Sequence, residues 1–214
     1  MESMKVLIVT GGIACGKSSF LRHWLGSRED SVGFCADQTV HELYAMPEVA
    51  EKVAALCGRE VLTEEGGVDR AVLRQMVFDD AGRKKALEEL IHPMVRERFK
   101  KSCQELVLKT PREASRWLLA DIPLFFEGGG TFFEESEASC DFVGTVAVTC
   151  SEGTQVERLA QRNGFDKERS LGIIRSQMPL TEKILLADFV IWNEGIEQGM
   201  HRQISLLQKH LDGL

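Results

Sequence analysis

Apolar residues change their spacing several times along the chain, and those changes mark its elements. Lys5 to Thr10 is a short aliphatic and β-branched run closed by glycines, too tightly bounded for a helix, and it predicts a buried strand. Ser18 to Leu25 predicts a helix, Val32 to Ala36 a second strand, and Asp37 opens another helical stretch. From about Pro47 to Lys109 apolar positions recur at intervals of three and four, as in Val49, Val53 and Leu56 or Met94, Val95 and Phe99, which is helical spacing. Gly66-Gly67 and Pro93 punctuate it, and the restriction a proline places on its predecessor predicts a helix boundary at His92. Strand patterning returns at Trp117 to Ala120, Phe142 to Thr149 and Asp188 to Trp192. A polar, arginine-bearing helical segment spans Thr154 to Gln177, and a closing helix runs from about Gly195 to Leu211.

Strands separated by helices predict an α/β fold whose parallel sheet is covered on both faces. The helical stretch from 47 to 109 is too long for one crossover and predicts a small helical lobe. A length of 214 residues suits a single domain. Charge narrows the partners: 33 acidic against 26 basic residues give a net −7, which argues against nucleic acid while leaving room for an anionic small molecule. No stretch approaches the ~18 apolar residues that a membrane span needs. The start of the chain is too short and too acidic for a signal or transit peptide, so a cytoplasmic location is expected. The six cysteines (15, 35, 57, 103, 140 and 150) show no C-x-x-C pair and no histidine at zinc-ligand spacing. They are expected to be reduced thiols, mostly buried. Glu134, Glu135 and Glu137 read as a solvated loop.

The chemistry begins at Gly11-Gly12-Ile13-Ala14-Cys15-Gly16-Lys17-Ser18, which fits G-x-x-x-x-G-K-[ST] between a predicted strand and a predicted helix. Glycines let such a loop curl so that successive N–H groups meet phosphate oxygens, and the helix adds the partial positive charge of its N-terminus. Lys17 would supply a full charge to the β and γ phosphates of ATP, and Ser18 a hydroxyl to Mg²⁺. The alternative is a glycine-rich turn with an exposed lysine. Asp37, just past the second strand, is placed either to accept the proton of an attacking hydroxyl or to cap the helix it opens. Asp121 ends a strand as the acid of a Walker B strand does, reaching Mg²⁺ directly or through water, or else it is an ordinary turn residue. Arg158 and Arg162, four apart on one helix face, could close over a triphosphate, or could form a solvated face with Glu157 as local partner. Cys15, inside the phosphate loop, could block ATP if oxidised, yet Lys17 is the only pKa-lowering neighbour visible in the sequence.

Taken together, these residues resemble the dephospho-CoA kinase family, with a likeness running from Lys5 to about Gly195. It is carried by Thr10-Gly11-Gly12-Ile13, by Asp37, by Gly67-Val68-Asp69-Arg70 and His92-Pro93, and most tellingly by Asp121-Ile122-Pro123-Leu124-Phe125-Phe126-Glu127. Arg158, Arg162, Gln177, Lys183, Ala187-Asp188 and Asn193-Glu194-Gly195 complete it. The resemblance implies a three-layer P-loop fold with a helical substrate-binding insertion and a helical lid: a core of about 1–37, 115–150 and 186–214, a lobe of about 38–112, and a lid of about 151–180. It implies ATP-dependent phosphorylation of the ribose 3′-hydroxyl of dephospho-CoA, the last step of CoA synthesis, by a monomer or weak homo-oligomer. Asp37, Lys17 and Arg158 would carry catalysis. Gly11 to Ser19, with Arg158, Arg162, Asn193 and Gly195, would hold the nucleotide. Asp37, His41, His92, Pro123 and Leu124 would meet the acceptor, and Ser18 and Asp121 the metal. The chain departs from the family pattern at Cys35 (usually Asp), His41 (usually Arg), Ile173 (usually Arg) and Ser19 (usually Thr). A kinase for another nucleotide or nucleoside, and a non-catalytic nucleotide-binding regulator, stand as alternatives at this stage.

Overall fold

Five strands lie side by side and all parallel: β1 (Met4–Gly11), β2 (Ser31–Cys35), β3 (Arg116–Asp121), β4 (Asp141–Thr149) and β5 (Phe189–Trp192). Their order across the sheet is β2-β3-β1-β4-β5. The computed structural model describes residues 4–78, 80–109, 116–130 and 140–213; the glutamates at 134, 135 and 137 lie outside them. No helix among the described residues is long and apolar enough to cross a membrane.

Alternation along β1 divides the interior into two cores. Val6 and Ile8 join Phe34, Leu118 and Ala120 in one, whereas Leu7 and Val9 join Trp117, Leu119, Val146 and Val148 in the other. The second core is closed by α1 (Lys17–Ser27), through Phe20 and Trp24, and by the closing helix through Met200, Ile204, Leu207 and Leu211. The first is closed by the insertion between β2 and β3: α2 (Ala36–Tyr44), α3 (Pro47–Cys57), a 3₁₀ turn (Arg59–Val61), α4 (Arg70–Phe78) and α5 (Ala81–Lys109). Helix–sheet–helix layering follows.

Gly66-Gly67 does interrupt the helical stretch, inside the turn that the Leu62–Val68 bridge closes ahead of α4. Pro93 does not, contrary to the boundary expected at His92. α5 continues through it because Leu87, Ile91, Val95, Phe99 and Cys103, each four residues on from the last, are all buried on one side. Each large apolar burial is worth about 1.5–3 kcal/mol, which together outweigh the ~3 kcal/mol that a proline costs a helix interior.

The segment from 154 to 177 also departs from its reading as one helix. It is two, α6 (Glu152–Asn163) and α7 (Lys167–Arg175). Gly164 ends the first in a left-handed conformation (φ +67°), and the Asp166 carboxylate accepts from the Arg169 N–H to start the second. α8 (Leu180–Leu186) and α9 (Glu197–Asp212) complete the chain.

Register collects the chemistry at one edge. Asp121 ends β3 opposite Val9 of β1 and Cys35 of β2, so the loop after β1, the start of α2 and Asp121 share the carboxyl edge of the sheet.

Candidate active site

The loop after β1 takes a shape that its glycines permit. Gly11 (φ +145°) and Gly16 (φ +98°) occupy backbone conformations that L side chains rarely adopt, and a Cβ would strike the Val148 carbonyl at the first and the Asn193 amide at the second. Gly16 also precedes α1 with no side-chain cap. The first-turn N–H groups of Lys17 and Ser18 thus lie beyond the reach of the helix's own hydrogen bonds, which leaves them, with the helix dipole, suited to an anion.

Side chains from distant elements hold the outer side of this loop. Gln177 Oε1 accepts from the Ile13 N–H (2.8 Å), and Gln155 Nε2 donates to the Ile13 carbonyl (2.7 Å). Arg158 donates to the carbonyls of Ala14 (3.2 Å) and Asn193 (3.1 Å), and the buried Asn193 amide donates to the Cys15 carbonyl (2.8 Å). Every carbonyl from 13 to 15 is thereby engaged. Arg158 is therefore a loop tether and not part of a solvated face; Glu157, its supposed partner, accepts from Gln161 instead.

A cleft of about 610 Å³ opens over the loop, within the range of small-molecule sites. Gly12, Ala14, Gly16, Lys17, Ser18 and Ser19 line one side, facing Arg158, Arg162, Asn193 and Gly195. Gln161, Glu197 and Met200 line it too, and sequence reasoning missed them. The position of Gln161 one helical turn beyond Arg158, and of Glu197 and Met200 in the helical segment that follows Gly195, was the available signal.

On the other side of Lys17 lie the acids. Asp37 is the second residue of α2, whose N-cap is Cys35, so the capping role considered for it does not hold. Its side chain is exposed and has no hydrogen-bond partner among the described residues. Asp121 is partly buried, and its Oδ1 is sealed from solvent with no hydrogen-bond partner among the described residues. Burial pushes the Asp121 carboxyl above the usual carboxylate range, with Lys17 opposing and Asp37 adding to the shift. A carboxyl raised in the fold contributes stability below its unfolded value, near 3.8, and loses it as pH rises through the folded value. Asp121→Asn is therefore expected to gain in melting temperature over the wild type as pH is raised from about 4 to about 7. A wild-type advantage that grows over that range would contradict it.

The dephospho-CoA kinase family model matches residues 5–198. The chain belongs to the dephospho-CoA kinase family. A dephospho-CoA kinase of Carboxydothermus hydrogenoformans is 35% identical over 214 residues, covering 98% of this chain and 96% of that protein. The solved structure of TT1252 from Thermus thermophilus superposes with a TM-score of 0.77 at 28% identity, over 98% of both chains. The dephospho-CoA kinase from Campylobacter jejuni, at a TM-score of 0.59, 24% identity and 98% coverage of both chains, speaks for the fold.

The remaining residues that the dephospho-CoA kinase pattern singled out are not all together. His41 is exposed on α2, one turn beyond Asp37 and on the same helix face. The Pro123 carbonyl accepts from Thr10 Oγ1 (3.0 Å), and Leu124 is half exposed. His92 is exposed on α5 in a separate groove with Lys85, Glu88 and Arg96 and does not line the cleft. The six cysteines are free thiols, four of them buried. Cys15 has a partner the sequence could not reveal: its Sγ lies 3.6 Å from that of Cys150, and this hydrogen bond, ahead of the Lys17 charge, lowers the Cys15 thiol.

Proposed function

We propose that this chain transfers the γ-phosphoryl group of ATP to the ribose 3′-hydroxyl of dephospho-CoA, giving CoA and ADP. The observation that carries this reading is Asp37. In a chain of this family, a carboxylate without a hydrogen-bond partner among the described residues shares one sheet edge with the phosphate loop and Asp121.

In this reading the loop amides and Lys17 hold the β and γ phosphates, and Asn193, Gly195 and the start of α9 flank the nucleoside. Arg162, exposed and anchored by the Asn163 side chain, supplies charge from the lid side with Arg158. Asp37 orients the acceptor hydroxyl and takes its proton as transfer proceeds; a weak base suffices, because a loose transition state releases that proton late. Mg²⁺ fits Ser18 and Asp121, since the unpartnered, buried Oδ1 of Asp121 is an acceptor that a hard cation or its water would satisfy. When bound, the cation neutralises charge on the β and γ phosphates. The helices of residues 36–109 are the acceptor lobe, with His41, His92, Pro123 and Leu124 on the acceptor side, and α6 to α8 are the lid. The enzyme is cytoplasmic and monomeric or weakly self-associating.

The test is mass detection of products after mixing the protein with MgATP and dephospho-CoA, alongside AMP, UMP and a nucleoside as competing acceptors. CoA and ADP in equal amounts, with little product from the other acceptors, is the expected result. A preference for another acceptor would redirect the substrate assignment. ATP binding without acceptor-dependent ADP release would make the chain a regulator.

A further inference from the structure

We infer that Lys183, on α8, is a positioning residue that sets the acceptor turn against the phosphate loop. The inference rests on the proposed acceptor role of that turn. Lys183 has no solvent exposure, which is rare for a lysine unless it is paired. Its Nζ lies 2.7 Å from Glu127 Oε1 and donates to the Pro123 carbonyl at 3.2 Å. That same carbonyl accepts from Thr10 Oγ1, one residue before the loop, and the same Glu127 Oε1 accepts from the Met178 N–H (3.1 Å). Gln177, next to Met178, holds the Ile13 N–H, and Leu180 packs where a Cβ on Gly12 would sit. Residues 177 to 183 thus grip the phosphate loop with one end and the 122–127 turn with the other.

A buried ion pair is weak evidence for stability, because a matched apolar pair fills the space as well. What an apolar pair cannot supply is a donor of fixed reach on the Pro123 carbonyl. That carbonyl lies two residues beyond Asp121, beside Leu124. With no exposed surface, Lys183 touches neither substrate and acts only through Pro123 and Glu127. Loss of that reach lets the acceptor turn drift relative to the γ-phosphate, and a displacement of ~1 Å costs about 10²-fold in rate.

The experiment compares the wild type with Lys183→Met, with the paired Lys183→Met/Glu127→Met and with Lys183→Arg. It reads thermal melting, ATP affinity, and kcat/KM for dephospho-CoA. The paired variant leaves no uncompensated buried charge, so it is expected to melt near the wild type and to bind ATP as the wild type does. Its kcat/KM for dephospho-CoA is expected to fall by about 10²-fold. Lys183→Arg keeps the ion pair and is expected to recover much of that loss. A paired variant with wild-type melting and wild-type kcat/KM would show the pair to be core filling only. Equal losses of ATP affinity and acceptor turnover would show a general distortion and overturn the inference as well. A wild type that forms no CoA would instead overturn the proposed function, and this inference with it.

Discussion

Asp37→Asn is expected to lower kcat for CoA formation by about 10²–10⁴-fold while leaving ATP binding nearly intact. The substitution keeps the size and polarity of the side chain and removes its ability to take a proton. It also spares the fold, because the carboxylate caps nothing and bonds to nothing among the described residues. The expected stability change is limited to the loss of one negative charge in the first turn of α2, about 0.3–1 kcal/mol. Steady-state kinetics beside calorimetric titration of ATP separate the two effects. An unchanged kcat would remove Asp37 from the chemistry altogether.

Lys17→Met is expected to lower kcat by at least about 10²–10³-fold, the range seen when a single group stabilising transition-state charge is deleted, and to weaken ATP binding as well. A second signature follows from its neighbour. Lys17 opposes the upward push of burial on Asp121, so its loss raises that carboxyl further. The folded protein then holds the Asp121 proton to higher pH, and the stability lost with rising pH becomes larger. Thermal melts across that pH range report this without any turnover assay. Wild-type kcat together with an unchanged pH profile would mean that Lys17 faces neither the phosphates nor Asp121.

Much of the architecture was readable because it depends on near neighbours. The unbroken apolar run Val6-Leu7-Ile8-Val9 marks a buried strand, and spacings of three and four between 47 and 109 mark helices. The G-x-x-x-x-G-K-S run marks a loop whose function needs only its own backbone and the helix it opens. Reading failed where two local rules competed. Pro93 signals a helix end, but five buried side chains on one face of α5 hold the helix through it. The stretch from 154 to 177 reads as continuous helical polarity, yet a left-handed Gly164 and the Asp166 cap divide it.

The candidate site divides along the same line. Gly11 to Ser18, Asp37, Asp121 and Arg158 were identifiable as types in order along the chain, and Asn193 through the family resemblance. What each side chain grips was not. The tethers on Ile13, Ala14 and Cys15 come from Gln155, Arg158, Gln177 and Asn193, more than 140 positions away, where no periodicity operates. The same holds for the Cys15–Cys150 contact and for Lys183 under the acceptor turn.

By itself, then, the amino-acid order determined an α/β chain with a phosphate loop and two acids at strand ends, since backbone torsions and apolar spacing act within a few residues. Only the tertiary structure decided that β1 lies between β3 and β4, with β5 outside β4, and with that which amide backs the loop and which lysine is buried. Those partners are set by strand register and helix packing, which depend on the whole chain at once.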